Sequence, residues 1–224
     1  HEEKQSNESI LSWLALFSKE INQEFGIFCD YHLKDTTNTF DQAVTELAHH
    51  YDLIVMGTNG ADNSYQYVFG SQSFHVMQQA KCPVVLVPEG YTYQPVVEIV
   101  YAYDPNTNPL FLSEQLRKLA APLGAKIKVL HILEDKPSVE TVRKMEILED
   151  VIKAREPRNV SWSFEFQSAE DVALALDHYM NTGKGGDMLA LSFHHRSLVE
   201  RLFKENVIKK IAMIADYPVF TFWH

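Results

Sequence analysis

The chain has 224 residues, 46% of them apolar, enough for one large domain or two small ones with a sizeable core. A net charge of -10 excludes a general nucleic-acid or anionic-membrane surface, and no apolar run is long enough to span a bilayer. Two cysteines, Cys29 and Cys82, do not make a disulfide framework and point to a reducing cytosol.

In chain order, the opening His1-Glu2-Glu3-Lys4 has no signal-peptide pattern. The first methionine is Met56, so the natural start is expected to lie upstream. Glu8 to Glu24 reads as a helix, with Ile10, Leu14, Phe17 and Ile21 on one face and Gly26 as its stop. Ile27 to Leu33 reads as a strand. Asp35 to Asn38 is turn and cap chemistry before a helix from Phe40 to His50. Leu53-Ile54-Val55-Met56 reads as a buried parallel strand, followed by a glycine loop, a helix from Ser71 to Gln79 and a strand at Val84 to Val87. Pro88-Glu89-Gly90 begins a linker.

The second half opens with a strand at Val96 to Tyr103 and a helix from Pro109 to Leu123, with Pro109 suited to a first turn. Strands follow at Lys126 to Ile132, Val160 to Phe166, Met188 to Leu191 and Val219 to Trp223. Helices at Ser138 to Arg155, Ala169 to Met180 and Val199 to Ala215 separate them. Alternating strands and helices predict a parallel sheet covered on both faces.

The chain repeats itself. Asp52 to Gly57 (DLIVMG) aligns with Asp187 to Ser192 (DMLALS), and Cys82 to Val87 (CPVVLV) with Tyr217 to Phe222 (YPVFTF). Positions 187 less 52 and 217 less 82 both give an offset of 135. Two copies of one fold are therefore expected, spanning 1–90 and 95–224. The strand and helix that open the second copy have no counterpart in the first, which lacks roughly 40 residues, the size of one βαβ unit.

The most informative stretch is Gly57, two residues, Gly60, nine residues, Gly70-Ser71. Glycines let backbone N–H groups approach an anion, and Ser71 opens a helix whose N-terminus favours negative charge. Flanked by DLIVMGTNG and CPVVLVP, this spacing resembles the nucleotide-binding signature of the universal stress proteins, most closely the tandem type with two domains in one chain.

The resemblance implies two tandem α/β domains, each a doubly wound, Rossmann-like sheet of the adenine nucleotide alpha hydrolase-like kind. It implies strand order 3-2-1-4-5, the first domain lacking its initial βαβ unit. It further implies an ATP or other adenine nucleotide site, with Mg, at Met56, Gly57, Gly60, Gly70, Ser71 and Gln72. A chain without that unit is expected not to hold ATP, because one wall of the pocket is missing. The resemblance implies a regulatory or stress-protective cytosolic protein acting on an unidentified protein partner. Its copies would pair through their last strands as an intramolecular pseudo-dimer or a homodimer.

In the second copy the glycines become Ser192, His195 and Glu205, and Ser71 becomes Asn206, so no triphosphate is expected there. Asp104 is expected to cap a turn before Pro105-Asn106. Two alternatives stand beside the nucleotide reading. One is a nucleotide-free interaction module, favoured by Asp62 and by the absence of Lys or Arg between Gly57 and Gln79. The other is a slow ATP hydrolase. The pairs His49-His50 and His194-His195 lack zinc-ligand spacing and read as solvated; Cys82 reads as a small buried residue leading a strand.

Overall fold

The computed structural model describes residues 2–34, 38–58, 71–133, 136–154, 159–183, 185–193, 207, 210–211 and 214–223. The chain divides into two compact units, His1–Thr39 and Phe40–His224.

The first unit is one long helix, α1 (Glu2–Phe25), and an irregular tail. Gly26 ends the helix at φ 66°, its N–H donating to the Asn22 carbonyl at 2.9 Å. Trp13 and Phe17, one turn apart, stack at 5.5 Å. The strand expected at Ile27 to Leu33 does not form: residues 26–34 have no regular structure. The reason is a missing partner. A strand is a product of its ladder, and the segment's repeat counterpart, β5, pairs with β4, whose own counterpart is not among these 224 residues. The backbone is met locally instead. Ser18 Oγ donates to the Cys29 carbonyl, and Asp30 Oδ1 accepts from the Tyr31 N–H at 2.8 Å.

The second unit is built on one seven-stranded sheet. Its strands are β1 (Ile54–Gly57), β2 (Val84–Val87), β3 (Glu98–Ala102), β4 (Lys126–Leu133), β5 (Trp162–Ser168), β6 (Met188–Phe193) and β7 (Val219–Trp223). Their spatial order is β1-β2-β7-β6-β3-β4-β5. Every neighbouring pair is parallel except β2 with β7, which run antiparallel with Val85 opposite Phe220. The five strands of the second half thus stand in the expected 3-2-1-4-5 order, and the two strands of the first half add to them through β2.

The helices are α2 (Phe40–Leu47), α3 (Ser71–Gln79), α4 (Pro109–Leu123), α5 (Val139–Ala154) and α6 (Val172–Asn181). A single 3-10 turn, Ala48–His50, follows α2 where one longer helix was expected. Asn108 caps α4, its Oδ1 accepting from the Leu110 and Phe111 N–H groups, and Gly124 closes it at φ 65°. Asp171 caps α6 through the Leu174 N–H, which shortens that helix against the expected start at Ala169. The expected helix at 199–215 lies largely outside the described residues; positions 207, 210, 211 and 214 are helical.

Alternate residues of the inner strands feed two cores. Val84, Leu86, Val100, Leu130, Leu189 and Val219 pack on one face with Val76 and Met77 of α3 and Leu176 of α6. Val85, Ile99, Ile127, Ala190 and Phe220 pack on the other with Leu112 and Leu116 of α4 and Leu148 of α5. No helix among the described residues is long and apolar enough to cross a membrane.

Candidate functional site

In a parallel sheet, ligands sit where the strand order reverses, outside the carboxyl ends of the strands. The first half places Met56 and Gly57 at the carboxyl end of β1, the terminal strand of the sheet. Ser71 is the first residue of α3, and Gln72 follows it, exposed. Gly60 and Gly70 lie outside the described residues.

One residue that sequence reasoning missed holds this end together. Ser73, on the first turn of α3 and buried, donates from Oγ to the Gly57 carbonyl at 3.0 Å and lies 3.4 Å from the Thr58 carbonyl. Thr58 in turn donates its N–H to Val87 of β2 at 3.0 Å. The start of α3 is thereby fastened to the end of β1. The signal was present as a second serine two residues after Ser71, but a hydroxyl becomes a fastener only when a carbonyl sixteen residues away meets it.

The second half reverses its strand order between β3 and β6, and that point is filled by side chains. Tyr101 Oη lies 2.8 Å from Ser192 Oγ and 3.2 Å from Thr107 Oγ1, and the two latter hydroxyls are 3.0 Å apart. All three residues are buried. Ser192 is the repeat counterpart of Gly57, so a strand-end glycine in one copy is a hydroxyl locked into a triangle in the other. Burial pushes the Tyr101 phenol far above its ordinary range, its bonds to Ser192 and Thr107 opposing the shift, so it remains protonated. Phe222 stacks on Tyr101 at 6.2 Å beside the triangle, and on the other face of the sheet Phe193 stacks on Trp223 at 4.5 Å. Asp104 caps its turn as expected, its Oδ1 accepting from the Asn106 N–H at 3.0 Å.

The remaining candidates disperse. His49 and His50 are exposed on the 3-10 turn, and His194, His195, Glu205 and Asn206 lie outside the described residues. Among the described residues no group of three or more His, Cys, Asp or Glu side chains could hold a metal ion. Cys82 is buried just ahead of β2, and burial raises its thiol pKa, a backbone hydrogen bond partly opposing this.

Residues 41–88, which run from α2 through β2, match the model of the universal stress protein family. No curated protein matches the chain. Among solved structures, a universal stress protein from Archaeoglobus fulgidus DSM 4304 superposes with a TM-score of 0.70 at 17% identity, covering 97% of this chain and 77% of that one. A putative universal stress protein from Pseudomonas aeruginosa UCBPP-PA14 superposes with a TM-score of 0.57 at 14% identity, covering 95% and 77%. These likenesses establish the shared fold.

Proposed function

We propose that this chain, whose residues 41–88 belong to the universal stress protein family, binds an adenine nucleotide at the turn between β1 and α3 and uses it to regulate contact with another protein. The chain is read as two tandem domains, 1–90 and 95–224, in the cytosol. The nucleotide site belongs to the first, at Met56, Gly57, Gly60, Gly70, Ser71 and Gln72. The second is a folded support.

The observation that carries this reading is the Ser73 bond, because it holds the first turn of α3 at the carboxyl end of β1, where the helix dipole favours a phosphate. No Lys or Arg lies between Gly57 and Gln79, so ATP would rely on backbone dipoles and a magnesium ion for its charge. The hydroxyl triangle that includes Ser192 supports the contrast, since it fills the switch point between β3 and β6 with side chains in the second copy.

ATP with magnesium, added up to about 10 mM while backbone amides are followed by NMR, tests the reading. Weak binding is expected, because β1 is the terminal strand and offers one wall. Shifts should be confined to Gly57, Thr58, Gln72 and Ser73, and Gly60→Val should abolish them. Shifts at Tyr101 and Ser192, or none anywhere, would end it. The nucleotide-free interaction module is the second reading, favoured by Asp62 in the same loop, and the silent outcome is the one it expects.

A further inference from the structure

β5 closes the sheet on the side of the second half, with β4 as its one neighbour among the described strands. In a parallel ladder the N–H and C=O groups of alternate residues face opposite sides. The Ile127 N–H donates to the Ser161 carbonyl, and the Ala169 N–H to the Leu133 carbonyl, both at 2.8 Å. Odd-numbered residues of β5 therefore bond β4, and Trp162, Phe164, Phe166 and Ser168 turn their backbone groups outward.

The side chains follow the same period. Trp162 and Phe164 pack against the apolar layer beneath α4 and α5, and Phe166, on the same face, is 39% exposed. On the opposite face stand Ser163, exposed, and then Glu165 and Gln167, half-buried. Glu165 keeps its carboxylate within its own molecule, accepting from Tyr179 Oη at 2.8 Å and from Gln167 Nε2 at 3.3 Å. Natural edge strands are commonly blocked by Pro, Lys or a bulge. Residues 162–168 hold no Pro and no Lys, and their pairing with β4 runs unbroken from Trp162 to Ser168.

An occupant must bring an edge whose outward groups fit this one, and β5 fits itself. Two copies related by a two-fold axis at Phe164 pair antiparallel, Phe164 opposite Phe164 and Trp162 opposite Phe166, so that each pair exchanges both backbone bonds. Aromatic then meets aromatic along one face, and along the other Glu165 meets the uncharged Ser163. A slip of two residues one way sets Glu165 against Glu165. The opposite slip leaves Phe166 facing Val160, which is buried ahead of the strand.

We propose that β5 is a docking edge for a second copy of this chain, the two sheets joining antiparallel about Phe164 into one continuous sheet. The register is chosen by charge and side-chain match, since it pairs all three aromatic residues and keeps the two Glu165 carboxylates apart. This junction is separate from the β2–β7 join, and it does not depend on nucleotide.

Sedimentation of the full chain from about 1 to about 300 µM, in about 0.15 M salt to screen the net charge of -10, tests it. A reversible dimer is expected. Ser163→Glu sets a carboxylate opposite Glu165 at two symmetric places and should weaken the dimer roughly tenfold; Ser163→Lys should strengthen it by a similar factor. Ser161→Lys, which would face Gln167, should do neither. Thermal melts of dilute protein check that each variant folds. In dilute protein the Trp162, Phe164 and Phe166 amides should exchange well ahead of those of Ser163, Glu165 and Gln167, and should slow as concentration rises. A chain that stays monomeric at the highest concentration overturns the proposal. So does a dimer indifferent to Ser163, or one that Ser161→Lys strengthens as much as Ser163→Lys. Slow exchange at Trp162, Phe164 and Phe166 already in the dilute monomer means that the chain covers its own edge, and also overturns it.

Discussion

Leu189 in β6 and Ile54 in β1 occupy the same position in the two copies of the repeat, yet they live in different surroundings. Leu189 is buried, with strands on both sides and helices on both faces; Ile54 is half-buried in the last strand of the sheet. The same contrast holds one residue on, where Ala190 is sealed and Val55 open. Like sequence makes like strands, but burial depends on what else the chain supplies. The DLIV motif specifies a strand fit for the middle of a sheet, and here that strand stands at the rim.

The largest expected effect comes from truncating that pair. Leu189→Ala should cost about 3 kcal/mol through lost burial and a cavity in a fully packed site. Ile54→Ala should cost about 1 kcal/mol, because less apolar area leaves contact and the site can relax. Urea unfolding of both variants measures the gap, and equal losses would break the comparison.

Next is Tyr101→Phe, which removes one corner of the hydroxyl triangle and leaves Thr107 and Ser192 to bond each other. A loss of about 1 kcal/mol is expected in a thermal melt. An unchanged midpoint would mean that the triangle fills space without adding stability.

A pH effect belongs to the same well-packed half. His131 is buried between Tyr103 and Phe166, with Nδ1 3.0 Å from the Tyr103 carbonyl. Burial holds its pKa below the ordinary 6.5, the carbonyl contact partly opposing this. Between the folded and unfolded values the unfolded chain binds the extra proton, so stability should be full above about pH 6.5 and fall as the pH drops toward the folded value. His131→Asn should flatten that slope in denaturant titrations at several pH values; an identical slope would assign the pH dependence elsewhere.

The smallest effect is expected at Val55→Thr. This side chain is open, so the change should stay within about 0.5 kcal/mol, read in the same urea experiment. A larger loss would mean that the face of β1 is covered in solution.

Much of the fold was legible in the residues. The offset of 135, the Asn108 cap, Gly124 and the alternating apolar runs fix the second half nearly element by element, because each rests on neighbours close in sequence. The strand expected at Ile27 to Leu33 fails for the opposite cause: local sequence favours an extended chain, but a strand also needs a partner. At the candidate site, Met56 and Gly57 fell where expected at the carboxyl end of β1. Ser73 and the Tyr101–Thr107–Ser192 triangle were not legible, since each joins positions that only the folded sheet brings together.

The antiparallel junction of β2 and β7 carries a last consequence. Val85 and Phe220 share the apolar layer under α4, and Thr221 Oγ1 donates to the Val84 carbonyl at 3.3 Å. Within the second unit this welded backbone joins β1 and β2 to the other five strands, so the tether around Pro88 to Gln94 acts as a leash and not as a hinge. A protease nick in that tether would leave two polypeptides still fastened side by side, and evolution is free to lengthen or reroute it.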